Sequence, residues 1–131
     1  MTTPRLGSVV PVLRVQDGDL ALEFYEDRLG FTRQWEHRFE PDLPLYTRIA
    51  RDEAVLDLSE HYGDGTPGTG VWIPVHDVRA LHAELLPRLA PRQRPGMDED
   101  APGGPTFAVL DPFGNVLRFC GTDGTDGSGL S

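Results

Sequence analysis

Asp17 and Asp77 lie 60 residues apart (77 − 17), each just behind an aliphatic run ending in Val, and they mark a chain that repeats itself. In the first half, Val9-Val-Pro-Val-Leu-Arg-Val15 is rich in β-branched and aliphatic residues and reads as a strand. Asp17 or Asp19 can cap the helix that follows. Leu20, Ala21, Phe24, Tyr25 and Leu29 then recur at helical spacing on one face, and Gly30 supplies the stop. Three strand-like runs follow, from Phe31 to about Phe39, Leu45 to Ala50 and Ala54 to Ser59, the last two joined by the polar turn Arg51-Asp52-Glu53.

The second half replays that order. Val71-Trp-Ile-Pro-Val75 is a strand in which Pro74, lacking an N–H, points to a sheet edge or an irregular ladder. Asp77 caps a helix carrying Val78, Leu81, Leu85 and Leu89 on its inner face. A poor strand, broken by Pro95, runs from Arg92 to Met97. A hairpin from Thr106 to Cys120 closes the unit; its turn, Asp111-Pro-Phe-Gly-Asn115, combines the preset φ of Pro112 with two residues that tolerate positive φ.

The expected fold is therefore α+β, with two βαβββ modules forming a curved mixed sheet around a cleft and the helices outside. Four strands alone cannot bury both faces of a module, so the two must pair. Module one spans about 8–61 and module two about 70–121, within a single domain of residues 1–121. The glycine-rich segment Tyr62 to Gly70 links the modules, and the Gly-rich polar tail 122–131 is expected to be disordered.

At 131 residues the chain suits one domain, and no apolar run approaches the roughly 20 residues of a membrane span. The Met1-Thr-Thr-Pro-Arg5 start lacks the apolar core of a signal peptide, and the single cysteine, Cys120, fits a reducing compartment; a cytoplasmic location is expected. A formal charge of −9 argues against nucleic acid as partner and favours attraction of a cationic ligand. The sequence carries no Ser–His–Asp signature and no paired Cys motif, and the glycines from Gly63 to Gly70 lack the Lys of a phosphate loop.

The segments Val10-Pro-Val-Leu-Arg-Val-Gln-Asp17, Glu23-Phe-Tyr-Glu-Asp-Arg-Leu-Gly-Phe31 and Asp111-Pro-Phe-Gly-Asn115 resemble the glyoxalase/bleomycin resistance/dioxygenase (vicinal oxygen chelate) superfamily, and its bleomycin-resistance branch in particular. The likeness runs from about Ser8 to Cys120. It implies a small homodimer that sequesters a cationic, ring-containing antibiotic at the subunit interface by stoichiometric capture. Val10-Pro11 resembles the hinge of an arm that crosses to the partner.

Metal enzymes of the superfamily place four ligands at positions that fall here on Val10, Asp57, Gly70 and Arg118. Only Asp57 is a donor and Arg118 is repulsive, so no metal or other cofactor is expected. Asp57 and Arg118 each sit mid-strand at the end of a module, and a carboxylate–guanidinium pair between them is expected to replace the metal. Trp35, Phe39, Tyr46, Trp72 and Phe107 are the aromatics available to stack on a ligand, Trp72 matching an aromatic of the resistance proteins. A second Trp of those proteins is replaced by the Gly103–Gly104 region. The alternatives are a superfamily enzyme using non-standard ligands, with His37 and His61 as candidates, or a scaffold whose cleft is filled by its own side chains.

Overall fold

In a computed structural model that describes residues 3–38 and 40–122, the repeat becomes two similar units. The tail reading falls, beyond Thr122, outside the described residues. Module one contains β1 (Val12–Arg14), α1 (Gly18–Leu22), β2 (Thr32–His37), β3 (Tyr46–Arg51) and β4 (Ala54–Ser59). Module two contains β5 (Gly70–Val75), α2 (Val78–Leu85), β6 (Thr106–Leu110) and β7 (Val116–Gly121).

Both predicted caps form. The carboxylates of Asp17 and Asp77 accept the N–H groups of Leu20 and Ala80 at 3.1 and 3.2 Å, satisfying donors that a helix start leaves open. After α1 the chain widens into a π-type turn over Glu23–Arg28, and Gly30, at φ +82°, ends the helical run. That widening carries Phe24 and Tyr25 into the core, where the Tyr25 ring meets Phe24 and Phe31 edge-on at 5.3 and 6.0 Å.

The strands form two sheets, ordered β1-β4-β3-β2 and β5-β7-β6. In each, the first strand of the module runs parallel to the last, β1 with β4 and β5 with β7. Of the two readings its missing N–H allows, Pro74 takes the first: it lies on an edge strand. The strand expected over Arg92–Met97 does not form. Proline at 91 and 95 removes two ladder donors, Pro91–Gln93 coils into a 3-10 turn, and only Asp98 reaches the sheet, as an isolated bridge to Thr106.

Helix α1 packs on β4 and α2 on β7, so each sheet has one face covered by its own module. A single apolar cluster, drawn from both modules, fills the covered side. The modules are joined by a buried polar node at the predicted hairpin turn. Asp111, 4% exposed, accepts hydrogen bonds from the Tyr25 hydroxyl, the Asn115 side-chain amide, and the backbone N–H groups of Phe113 and Asn115, all at 2.8 Å. Fully buried Asn115 also donates to the Arg14 carbonyl at 3.0 Å and accepts from the Thr69 N–H at 3.0 Å.

At the far end of the helices, Arg51 forms a two-pronged pair with Glu84 at 2.8 and 3.0 Å, which holds the Glu84 carboxyl below the usual carboxylate range. Burial, reinforced by the neighbouring Asp111, pushes the Tyr25 phenol far above its ordinary value, so it stays a donor.

Because Asp111→Ala strands several buried donors at once, it should lower the unfolding free energy by about 3 kcal/mol or more, whereas Tyr25→Phe should cost about 1–2 kcal/mol. Urea denaturation checks both. An Asp111→Ala effect no larger than that of exposed Glu53→Ala would remove the node from its joining role.

Candidate functional site

With helices on one face of each sheet, the other two faces stay open, and the predicted site residues divide between them. On sheet one the pairing register places Trp35 opposite Arg48, Arg48 opposite Asp57, and Asp57 opposite Val12. Asp57 is 2% exposed yet sits in the open-face row, because the side chains around it lie over it. Arg48 grips its two carboxylate oxygens at 2.7 and 3.0 Å, and the Tyr46 hydroxyl donates to Oδ2 at 2.5 Å. The Trp35 and Tyr46 rings stack at 5.8 Å, 12° from parallel, and the Arg48 guanidinium lies 5.0 Å from the centre of the Trp35 ring. The result is an aromatic shelf with a closed ion pair beside it.

Desolvation, followed by the hydrogen bond to Asp57, pushes the Tyr46 phenol up to about 12. The same carboxylate raises the Arg48 guanidinium above its ordinary value, mainly through their hydrogen bonds.

The expected Asp57–Arg118 pair is therefore corrected: the partner of Asp57 is Arg48. Residues directly opposite on antiparallel strands have Cβ atoms about 5 Å apart. The two-residue turn Asp52-Glu53 pairs Arg51 with Ala54, so three steps back along each strand Arg48 must face Asp57. That register was readable from the turn, and sequence reasoning missed Arg48 by comparing the modules only with each other. Arg118, on the other sheet, makes no hydrogen bond or ion pair with any described residue.

On sheet two the corresponding row is Ala108, Arg118 and Trp72. Trp72 is 52% exposed and Arg118 is exposed beside it. The row floors a hollow of about 530 Å³ whose other walls include Thr106, Asp98 and the 95–102 loop. A side chain at Gly103 would lie 3.5 Å from the Trp72 ring, so the glycines that replace the second Trp also give the first one its room.

Phe107 does not belong to the site. It is 1% exposed and packs at 5.2 Å on Phe119 and 4.9 Å from His82. Strand alternation puts it on the helix side, and its neighbour Ala108 on the open side. Phe39 lies outside the described residues. A larger hollow of about 760 Å³ separates the modules, walled by Phe31, Leu56, Ile73, Leu81 and Phe119, and of the predicted residues only Trp72 reaches it.

The donor set does not fit the metal of the superfamily's enzymes. Val10 and Gly70 offer no donor, Arg118 is a cation, and both oxygens of Asp57 are already engaged. Among the described residues no three His, Cys, Asp or Glu side chains come together in a group able to hold a metal ion.

This architecture of paired modules, each with a parallel first-and-last strand pair and an open sheet face, is that of the glyoxalase superfamily, and the chain belongs to it: the family model described as glyoxalase superfamily protein matches residues 4–126. Its structural neighbours include bleomycin-binding and bleomycin-resistance proteins, in line with the branch its motifs resemble. The bleomycin-binding protein from bleomycin-producing Streptomyces verticillus, solved with copper(II)-bleomycin, is 28% identical, with a TM-score of 0.71 over 91% of this chain and 98% of that one. The antibiotic-binding protein TnmS3 from Streptomyces sp. CB03234 shares 21% identity and a TM-score of 0.69, again over 91% and 98%. The bleomycin resistance determinant of transposon Tn5 shares 20% and 0.68, over 87% and 96%. At these last two identities the likeness is one of fold. No curated protein sequence matches the chain.

Because the folded-state pKa of Tyr46 is raised from 10 to about 12, its proton-linked contribution to stability is fully present below pH 10 and is lost as pH rises through about 12. The difference in near-ultraviolet absorbance titration between wild type and Tyr46→Phe should therefore show one phenol ionising near pH 12. In an Asp57→Asn background the same difference should move down towards 10; an unchanged midpoint would break the link to Asp57.

Proposed function

We propose that this protein is a small-molecule binding protein of the bleomycin-resistance type. It captures a ring-containing, cationic antibiotic stoichiometrically, without a metal and without turnover. The observation that carries this reading is the 28% identity to a bleomycin-binding protein along nearly the whole of both chains. The two open faces support it physically. Each presents an exposed Trp beside an arginine, the arrangement that favours flat, partly polar molecules over small polar metabolites. The charge of −9 concentrates a cation near the surface before contact.

The binding cleft is assigned to a homodimer. Neither face is roofed by the described residues of the chain that bears it, and a second copy supplies the missing wall. Leu6 and Val9, at 101% and 88% exposure, lie in an irregular N-terminal stretch suited to crossing onto that partner, with Pro11 stiffening its exit. We place this capture in the cytoplasm, where the free, buried Cys120 is at home. The alternative of an enzyme with non-standard ligands gains no support from Asp57, whose oxygens are already held by Arg48 and Tyr46.

Calorimetric titration with bleomycin should give saturable binding near one ligand per subunit, and Trp72→Ala should weaken it about tenfold. Sedimentation should report a dimer at the concentrations used. An absence of heat and of thermal stabilisation across a panel of bleomycin-type glycopeptides would overturn the reading.

A further inference from the structure

We infer that the hollow on sheet two is an acid-accepting subsite, in which Arg118 grips the carboxylate of a planar aromatic group lying on Trp72. This deepens the small-molecule reading above and rests on it for its setting. Of the five arginines on strands, Arg33, Arg48 and Arg51 each pair with a carboxylate, and Arg14 donates to the Val15 carbonyl. Arg118 alone has neither kind of partner among the described residues.

Its position is not that of an ordinary surface charge. Leu117 and Phe119 on either side are buried, so Arg118 rises from the middle of an apolar strand on the central member of its sheet. Its neighbours leave it room. Ala108 faces it from β6, and at Gly70 even an added Cβ would stand 3.9 Å from Nη1. A guanidinium left open in this way offers a planar fork that matches a carboxylate bidentately, and Trp72, opposite in the register, offers a flat apolar surface alongside. The hollow, about 530 Å³, is of the size that takes a small ring system.

The net charge of −9 does not cancel this preference. At physiological ionic strength surface charges are screened over roughly 8 Å, whereas a group in the hollow would be in contact with Arg118. Asp98 lines the far wall without pairing to Arg118, its Oδ1 taking the Asp100 N–H at 3.0 Å, so a second negative charge on the same ring is disfavoured. The ligand class is therefore an aromatic monoacid, which can still carry cationic groups elsewhere.

The test follows the Trp72 indole N–H resonance of the full chain, identified by its disappearance in Trp72→Phe, during titration with naphthoate, naphthamide and naphthylmethylammonium. Naphthoate should shift it saturably and bind at least about fivefold more tightly than the other two. Arg118→Gln should abolish the difference, and Arg118→Lys, which keeps the charge but loses the fork, should retain part of it. Equal binding of the three probes, no shift at Trp72, or a preference that survives Arg118→Gln would overturn the subsite. Bleomycin titrated in parallel separates the two ideas. Bleomycin binding without an acid preference removes the subsite alone, and an acid preference without bleomycin binding upholds the subsite and removes only the bleomycin reading.

Discussion

A buried carboxylate, ion-paired with no cation among the described residues, holds the two halves of this molecule in register. Asp111 accepts four hydrogen bonds, two of them from the backbone of its own turn, one from Asn115 and one from Tyr25 of the other module. Hydrogen bonds to a buried charge contribute about 1.5–3 kcal/mol each, and a whole domain is stable by only about 5–15 kcal/mol. Neither module could fold alone on four or three strands with an apolar face uncovered. The node therefore fixes which faces are covered. It ties the β6–β7 turn to the α1 side of module one and to the end of β1, so the apolar side chains of both modules gather into one cluster.

Everything functional in this chain is the complement of that packing. The faces turned away from the core are open because a helix and the shared apolar cluster cover the other face of each sheet, while the node and the Arg51–Glu84 pair tie the modules together. On those open faces the two modules have diverged chemically while keeping one geometry. Asp57 and Arg118 stand at corresponding points, each on the module's last strand and opposite a residue of the first, Val12 and Trp72 respectively. Asp57 is neutralised by Arg48 from the next strand, whereas Arg118 faces Ala108 from the equivalent strand.

The repeat, both helix caps, the edge position of Pro74 and the hairpin turn were legible in the sequence because each depends on residues close together in the chain. The failure at Arg92–Met97 was half legible, since Pro95 was seen but the 3-10 turn begun by Pro91 was not. Phe107 was misplaced because its ring type suggested a ligand contact, while only the strand's phase decides which face it takes. The role of Asp111 was hidden for a different reason. A turn aspartate looks the same whether it caps its own loop or also receives a tyrosine hydroxyl from 86 residues away. The Arg48–Asp57 pair was within reach of local reasoning, through the length of the turn between β3 and β4, and it changes the site more than any other residue missed.

That pair redistributes charge in a way the composition conceals. A chain of net charge −9 would be expected to present acidic walls to a ligand. Instead Asp57, on the open face of sheet one, is buried under its own arginine and tyrosine, with the aromatic shelf of Trp35 and Tyr46 beside it. The open face of sheet two carries Arg118, which has no charged partner among the described residues. Acidity at long range and a guanidinium at contact are not in conflict, because screening separates the two distances. The first governs approach and the second governs orientation. A molecule with a positive arm and an acidic ring end would be drawn in by the whole surface and then turned by Arg118. A metal in the superfamily's usual place fixes orientation through several ligands at once, and here a single side chain would have to do so through the planarity of its fork.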